Sequence, residues 1–304
     1  MIYTVTLNPS VDHVIQVDDL RLGSLNKMQH EAKFPGGKGI NVSRVLNELT
    51  YKNTALGFLG GYTGNFIEEQ MKSKGGETCF IRIKDETRTN IKLKSKEETE
   101  INGLGPNIAP EESNQLLQQL QQITKKDTVI LSGSAPPSLA KDYYEEMVRI
   151  IVNIGSAFVV DTTGESLKSI LPYRPLLIKP NKEELADFFN ITLNYQDEVI
   201  KYGQQLLDLG ARNVIVSLGG DGAFLFTSDG HFKGNISKRK IQNSVGAGDS
   251  MVAGFTGKYN ETRNAVEAFK WGLAAGSATA FSADLATSKA IRSLLNEVEI
   301  TQLP

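Results

Sequence analysis

The chain has 304 residues, is 40% hydrophobic and 22% charged, and carries a formal net charge of -2. That is the composition of an ordinary soluble enzyme with a large buried core. A near-neutral balance offers no long-range field for nucleic acid or anionic lipid, so any bound anion needs local donors. The single cysteine, Cys79, rules out an internal disulfide framework and a cysteine-rich zinc site. The first residues have neither a basic segment nor a long apolar run, and no stretch reaches the roughly 20 apolar residues of a membrane helix. A cytoplasmic protein that binds neither membrane nor nucleic acid is the expectation.

Apolar runs alternate with amphipathic segments, the pattern of a mainly parallel sheet flanked by helices in an α/β fold. Ile2–Leu7 reads as a strand ending at Asn8-Pro9, and helical spacing begins at Gly39 with Ile40, Val42, Val45, Leu46 and Leu49. Thr54–Leu59 reads as the next buried strand. Leu116, Leu117, Leu120 and Ile123 mark one helix face. Further strands are expected at Thr128–Leu131, Phe158–Asp161, Leu176–Lys179 and Val214–Leu218, with helices at Tyr143–Val152 and Asp197–Leu209 between them. Gly219–Gly222 (GGDG) has the composition of a hairpin turn. The end of the chain is helical, over Asp249–Lys258 and a small-residue run from Trp271 to Phe281.

Two segments, 11–34 and 86–104, break this rhythm by alternating polar and apolar residues. Such alternation predicts strands with one solvated or partner-facing side. Together they are expected to form a small β-sheet appendage on a single domain spanning 1–304.

Three motifs bear on chemistry. Asn243–Ser250 (NSVGAGDS) is a glycine-rich turn opening into a helix. Unpaired backbone N–H groups at such a helix start attract negative charge. Asp249 in the first turn could take a proton from an attacking hydroxyl, or could merely complement the helix dipole, and spacing alone leaves both open. Pro35–Asn41 (PGGKGIN) also enters a helix, but Gly39 after Lys38 departs from the Walker phosphate loop. By itself it reads as a flexible helix entry. Asn181 and Glu184 have capping-box spacing, which on its own favours a helix cap over a magnesium–water site. Asp12 and Arg88, taken singly, read as surface residues of strands. His13, His30 and His231 lack metal-ligand spacing.

In combination and in this order, TLNPSVD, PGGKGINVSR, SGSAPPS, KPNKEEL, VSLGGDGA and NSVGAGDS resemble the ribokinase-like sugar kinases of the phosphofructokinase-B branch. The resemblance covers essentially the whole chain. It implies a ribokinase-like fold, ATP and Mg2+ as cofactors, and phosphorylation of a small sugar phosphate. By that resemblance Asp249 is the catalytic base, with Gly246, Ala247 and Gly248 as the anion hole. Asp12, Gly36, Gly37 and Asn41 would hold the sugar. Lys38 and Arg88, with Asn90 and Ser134 beside them, would hold the phosphate already on it. Asn181 and Glu184 would stand near Mg–ATP, Glu184 reaching the metal through water. Ser217, Gly219, Gly220 and Gly222 would line the ATP site, with Gly276 and Ser277 nearer the adenine. The appendage resembles the family's lid, which implies a homodimer. GGKGINVSR and TEINGLGP (99–106) look closest to the 1-phosphofructokinases, so the expected acceptor is fructose 1-phosphate. Tagatose 6-phosphate, fructose 6-phosphate and a non-catalytic sugar-phosphate sensor are the alternatives.

Overall fold

A computed structural model describes residues 1–236 and 239–303. Among the described residues, eleven strands form one central sheet. From one edge they run Glu299–Gln302, Gly230–Asn235, Ala223–Thr227, Asn213–Ser217, Leu177–Ile178, Ala157–Asp161, Thr128–Ser132, Ile2–Thr6, Asn53–Gly60 and Glu77–Thr78. The eleventh, Ile81–Ile83, pairs with the far end of Asn53–Gly60. Pairing is parallel from Asn213–Ser217 onward and antiparallel over the three pairs before it.

Strand alternation sends neighbours into two separate cores. Val129, Leu131, Val160, Val214 and Val216 join Leu116, Met147 and Ile151 on one face. Ile130, Val159 and Ile215 join Val42, Val45, Leu46, Phe255 and Phe269 on the other. Both faces being covered explains why these strands read as continuous apolar runs. The small-residue run also finds its reason here. Helix Ala247–Thr262 packs on helix Ala265–Ala280 so closely that a Cβ on Gly254 would lie 2.6 Å from the Trp271 carbonyl oxygen.

Most expected elements are present with ends shifted by one or two residues. Leu176–Lys179 is the shortest survivor, with only Leu177–Ile178 paired as strand, because Pro175 and Pro180 bracket it and donate no N–H. The Gly219–Gly222 segment does turn Asn213–Ser217 back into the antiparallel Ala223–Thr227. The edge strand Glu299–Gln302 and its neighbour Gly230–Asn235 carry too few apolar residues to be read beforehand.

A separate four-stranded sheet is ordered His30–Gly36, Ser10–Gln16, Arg88–Lys94, Glu98–Asn102. Ser10–Gln16 runs antiparallel to the first and parallel to Arg88–Lys94, with Ser10 opposite Arg88 and Asp12 opposite Asn90. Period two therefore places Ser10, Asp12, Arg88 and Asn90 on one face. Val11, on the opposite face, packs into a small core with Ile40, Leu59 and Ile67 and anchors this sheet to the body. Among the described residues, no helix is long and apolar enough to cross a membrane.

Candidate active site

Thr6, Ser132, Asp161 and Ser217 are the last residues of their parallel strands, and Lys179 directly follows another. In open α/β sheets ligands bind outside these carboxyl ends. Here the ends floor a cleft of about 480 Å³, closed on one side by the small sheet and on another by two helix N-termini.

The first of those helices begins at Ala247, after Gly246 in the left-handed region at φ 79°. Side chains strain there, and a Cβ would also press on Leu285. The turn is fixed by Ser250, whose Oγ bonds the Gly246 carbonyl oxygen and Thr279 Oγ1, both at 2.8 Å. The amides of Gly248 and Asp249, in the helix's first turn, have no helical carbonyl behind them.

Asp249 is only 6% exposed. Its Oδ2 accepts a 2.9 Å hydrogen bond from Asn41 Nδ2. Burial and the neighbouring Asp161 carboxylate push its pKa up to about 6, against the Asn41 hydrogen bond and the Lys38 and Lys179 charges, which pull it down. A carboxyl so tuned can accept a proton near neutrality.

The second helix, Lys38–Glu48, starts after Gly37 at φ 111°. A Cβ on Gly39 would lie 2.9 Å from the Val5 carbonyl oxygen, so the glycines let this helix start against strand Ile2–Thr6. That approach brings Lys38 Nζ within 3.4 Å of Asp161 Oδ1. Burial works to lower the Lys38 pKa, but Asp161, Asp249 and Glu184 outweigh it and hold it above its ordinary value.

From the small sheet, Asp12 Oδ1 accepts from Ser10 Oγ at 2.8 Å and from Asn90 Nδ2 at 3.1 Å. Gly36 backs Asp12, since a Cβ there would collide with its carboxylate. Arg88 also faces the cleft. Its Nε and Nη2 donate to the Asn8 carbonyl oxygen at 3.3 and 3.0 Å, and Nη1 to that of Gly103 at 2.8 Å. Burial lowers its pKa, partly offset by Asp12. Arg88 and Lys38 thus have different carboxylate neighbours.

Asn181 and Glu184 form a complete capping box: Asn181 Oδ1 accepts from the Glu184 N–H at 2.7 Å, and Glu184 Oε2 from the Asn181 N–H at 2.9 Å. Both also line the cleft, so cap and site coincide. Ser134 lines it from a loop. Asn181 and Ser217 further border a second, open cleft of about 740 Å³, which Gly219 and Gly220 also line. Of the expected residues, Gly36, Ala247, Gly222, Gly276 and Ser277 line neither cleft. Gly222 is a hairpin position at φ 88° packed on the Gly234 carbonyl. Gly276 lets its helix pass the Ala247 carbonyl oxygen, where a Cβ would lie 3.0 Å away, and half-buried Ser277 follows it.

Asp161 and Lys179 were not singled out beforehand. They are 3% and 6% exposed, and Lys179 Nζ lies 3.8 Å from Asp161 Oδ1. Each ends a strand-like run, and a charged residue closing a buried parallel strand was the available signal.

The chain is similar to known proteins. A model of the pfkB family of carbohydrate kinases matches residues 5–291. The chain belongs to that family. It is therefore a carbohydrate kinase, with ATP as the phosphoryl donor. A 1-phosphofructokinase of Bacillus subtilis is 45% identical over 303 residues, covering 100% of both chains. A D-tagatose-1-phosphate kinase of Bacillus licheniformis is 36% identical, again over 100% of both. Phosphofructokinase-2 of Escherichia coli, solved with fructose-6-phosphate, superimposes with a TM-score of 0.89 at 30% identity, covering 97% of this kinase and 98% of that chain. A ribokinase of Thermotoga maritima shares the fold, with a TM-score of 0.81 at 21% identity over 97% and 99% of the two chains.

The raised Asp249 pKa has a consequence for stability. A carboxyl raised from 3.8 to about 6 on folding favours the folded state below pH 3.8, and that contribution is lost as pH rises through about 6. Asp249→Asn, which never ionises, should therefore be more stable than wild type at pH 8 by about 3 kcal/mol at most, taking about 1.4 kcal/mol per unit. The gain should fall to about 0.5 kcal/mol by pH 4. Urea unfolding at both pH values checks this, and a variant equally or less stable at pH 8 would show that Asp249 is not an ionised burden on the fold.

Proposed function

We propose that this kinase transfers the γ-phosphoryl group of ATP to O6 of fructose 1-phosphate, giving fructose 1,6-bisphosphate. The observation that carries the reading is the single cleft in which Asp249 and the Gly246–Gly248 turn meet Asp12, Asn90 and Arg88 of the small sheet. The first group suits phosphoryl transfer, the second a hydroxylated acceptor with an anionic end. The 1-phosphofructokinase relative at 45% identity supports fructose 1-phosphate. The tagatose-phosphate kinase relative at 36% favours, as the second reading, a tagatose phosphate, which differs in the configuration at C4.

In this mechanism Asp12, supported by Ser10 and Asn90, and Asn41 orient the sugar hydroxyls. Asp249 accepts the O6 proton as the oxygen attacks phosphorus, and ADP leaves with the electrons of the broken bond. Phosphoryl transfer asks for alignment and charge stabilisation rather than covalent help, which suits amides fixed at a helix start. The triphosphate enters from the second cleft past Ser217, Gly219 and Gly220, toward Asn181.

Among the described residues, no cluster of three or more His, Cys, Asp or Glu side chains could cage a metal ion. Magnesium commonly keeps its waters and leans on one or two carboxylates and the substrate's phosphates. Glu184, with one oxygen outside its cap, and the partnerless buried Oδ2 of Asp161 fit that role. Magnesium would offset triphosphate charge there.

An ADP-release panel of fructose 1-phosphate, tagatose 6-phosphate, tagatose 1-phosphate, fructose 6-phosphate and free fructose tests the reading, with fructose 1-phosphate expected fastest. Asp249→Asn should keep ATP binding and lose roughly 10²–10⁴-fold in turnover. A folded variant with near-normal turnover removes Asp249 from the mechanism, and a faster tagatose phosphate shifts the reading to that sugar.

Arg88 is proposed to read the phosphate already on the sugar. A charge-assisted hydrogen bond contributes about 1.5–3 kcal/mol, so Arg88→Ala should lower kcat/KM for fructose 1-phosphate about 10- to 150-fold. Fructose, a poor acceptor from the start, should barely lose. Equal losses on both would mean that Arg88 does not recognise the phosphate.

The small sheet is proposed as a lid that joins a second copy of the chain. Its connecting loop exposes Leu22 and Leu25 at 90% each, and Met28 of that loop and Ile101 of strand Glu98–Asn102 are also exposed. Apolar groups gathered this way favour a covering partner. Light scattering should show a dimer that Leu22→Asp/Leu25→Asp converts to monomer. A fully active monomeric wild type would end the idea.

A further inference from the structure

Behind the anion-binding turn lies a buried hydroxyl that the mechanism leaves without a task. Thr279 stands one residue before the end of helix Ala265–Ala280, is 0% exposed and lines neither cleft. Its Oγ1 lies 2.8 Å from Ser250 Oγ and accepts from the Ala286 N–H at 3.1 Å. Ser250 Oγ lies 2.8 Å from the Gly246 carbonyl oxygen, which also accepts from the Ser250 N–H at 2.8 Å. A carbonyl cannot donate, and a hydroxyl carries one proton. The Ser250 proton is therefore committed to Gly246, so Ser250 Oγ must accept from Thr279. The bonds run one way, from the Ala286 N–H through Thr279 and Ser250 to Gly246.

Hydrogen bonds in such a chain polarise one another. At its end Ser250 occupies the Gly246 carbonyl oxygen twice. Because a peptide is planar, fixing this carbonyl also fixes the plane it shares with the Ala247 nitrogen. That peptide opens helix Ala247–Thr262, from whose first turn the Gly248 and Asp249 amides project. The far end of the chain reaches the same point by packing, since a Cβ on Gly246 would lie 2.5 Å from Cδ2 of Leu285, the neighbour of Ala286. A core threonine in a helix commonly spends its proton on the carbonyl one turn back. Thr279 spends it on the neighbouring helix, and Gly276 permits this. A Cβ at 276 would lie 3.0 Å from the Ala247 carbonyl oxygen and 3.4 Å from Met251 Cβ, so bare backbone lets the two helices close until the hydroxyls meet.

We propose that Thr279 is a positioning residue for phosphoryl transfer, which through Ser250 aims the Gly248 and Asp249 amides at the γ-phosphoryl group in flight. The hydroxyls transfer no proton; they hold a peptide plane in place. On this assignment Gly276 serves the turn, as the spacer that lets Thr279 reach it.

The inference rests on the kinase reading, and its test separates the two. Thr279→Val keeps the shape of the side chain and removes the hydroxyl. It should lower kcat about 10- to 100-fold, as small misplacements of aligned groups do. KM for fructose 1-phosphate should stay within about threefold, since the loss falls on the transition state. Affinity for ADP with aluminium fluoride and fructose 1-phosphate, a mimic of the group in flight, should fall with kcat while ADP alone binds normally. Thr279→Ser, which restores the hydroxyl, should recover kcat to within about threefold of wild type. Ser250→Ala breaks the chain nearer the turn yet leaves the Ala286 N–H its acceptor, and it should match Thr279→Val. The double variant should lose no more than either alone, because one chain is broken only once. A folded Thr279→Val with kcat near wild type overturns the proposal. So does a loss shared equally by KM, ADP and the mimic, or losses that multiply in the double variant. Should Thr279→Val fail to fold, Ser250→Ala decides by the same kcat, KM and mimic readouts. Wild type failing to release ADP with fructose 1-phosphate counts against the substrate reading alone, and the ketose phosphate it does accept then takes that place in every arm.

Discussion

Two carboxylates and two ammonium groups meet at the floor of the cleft, and they are unevenly paired. Both lysines look to one oxygen of Asp161, at 3.4 and 3.8 Å, while among the described residues its other oxygen has no hydrogen-bond partner. Asp249 has a single amide hydrogen bond. In so little water each charge acts on its neighbours far more strongly than at the surface. The carboxyl pKa of about 6 is one result. A second is a standing demand for an anion able to satisfy the cations without burying another lone carboxylate. A transferring phosphoryl group meets that demand, so the charge cluster and the phosphoryl chemistry have the same origin.

Holding this cluster together requires two helix starts to meet where the strands end. Gly37 and Gly246 both take backbone conformations that side chains resist, and each lets its helix begin against a neighbour. The Asn41–Asp249 hydrogen bond then joins residues 208 apart in the chain. Arg44 repeats the connection from the next turn of the same helix, donating to Asp284 Oδ2 at 2.5 Å. The adjoining Leu285 packs on Gly246, so the loop that Arg44 grips also supports the anion-binding turn.

Much of this was legible in the residues. The parallel sheet announced itself because strands buried on both sides must be apolar throughout, as at Val129–Leu131 and Val214–Val216. The small sheet did so because its one buried face forces alternation. Asp249 and Asn41 could be paired only through the resemblance, since spacing within either motif says nothing about a contact across the fold. The edge strand Glu299–Gln302 escaped because an edge position requires few apolar residues. Asp161 and Lys179 escaped although both stood at the ends of expected strands, because one charge closing an apolar run looks like a solvated boundary until the sheet order makes its neighbour known. Asn181 and Glu184 show the opposite case, in which two competing readings of one motif are compatible, because a capping box spends only some of its oxygens.

If Arg88 reads the sugar's phosphate as proposed, recognition and architecture share one side chain. Of five guanidinium N–H groups, three are taken by the carbonyl oxygens of Asn8 and Gly103, which fixes the fork and ties the small sheet's strand to the chain leaving strand Ile2–Thr6. Two remain for a ligand. Because the fork is already fixed, little side-chain entropy is lost when a phosphate binds across them. A free sugar would leave those donors half-buried and unmet, so discrimination comes from both sides, through bonds gained by the right acceptor and bonds denied to the wrong one. The same tie means that the phosphate reader moves only when the small sheet moves. In the proposed lid role, closing that sheet over the sugar and presenting a cation to its phosphate would be one event.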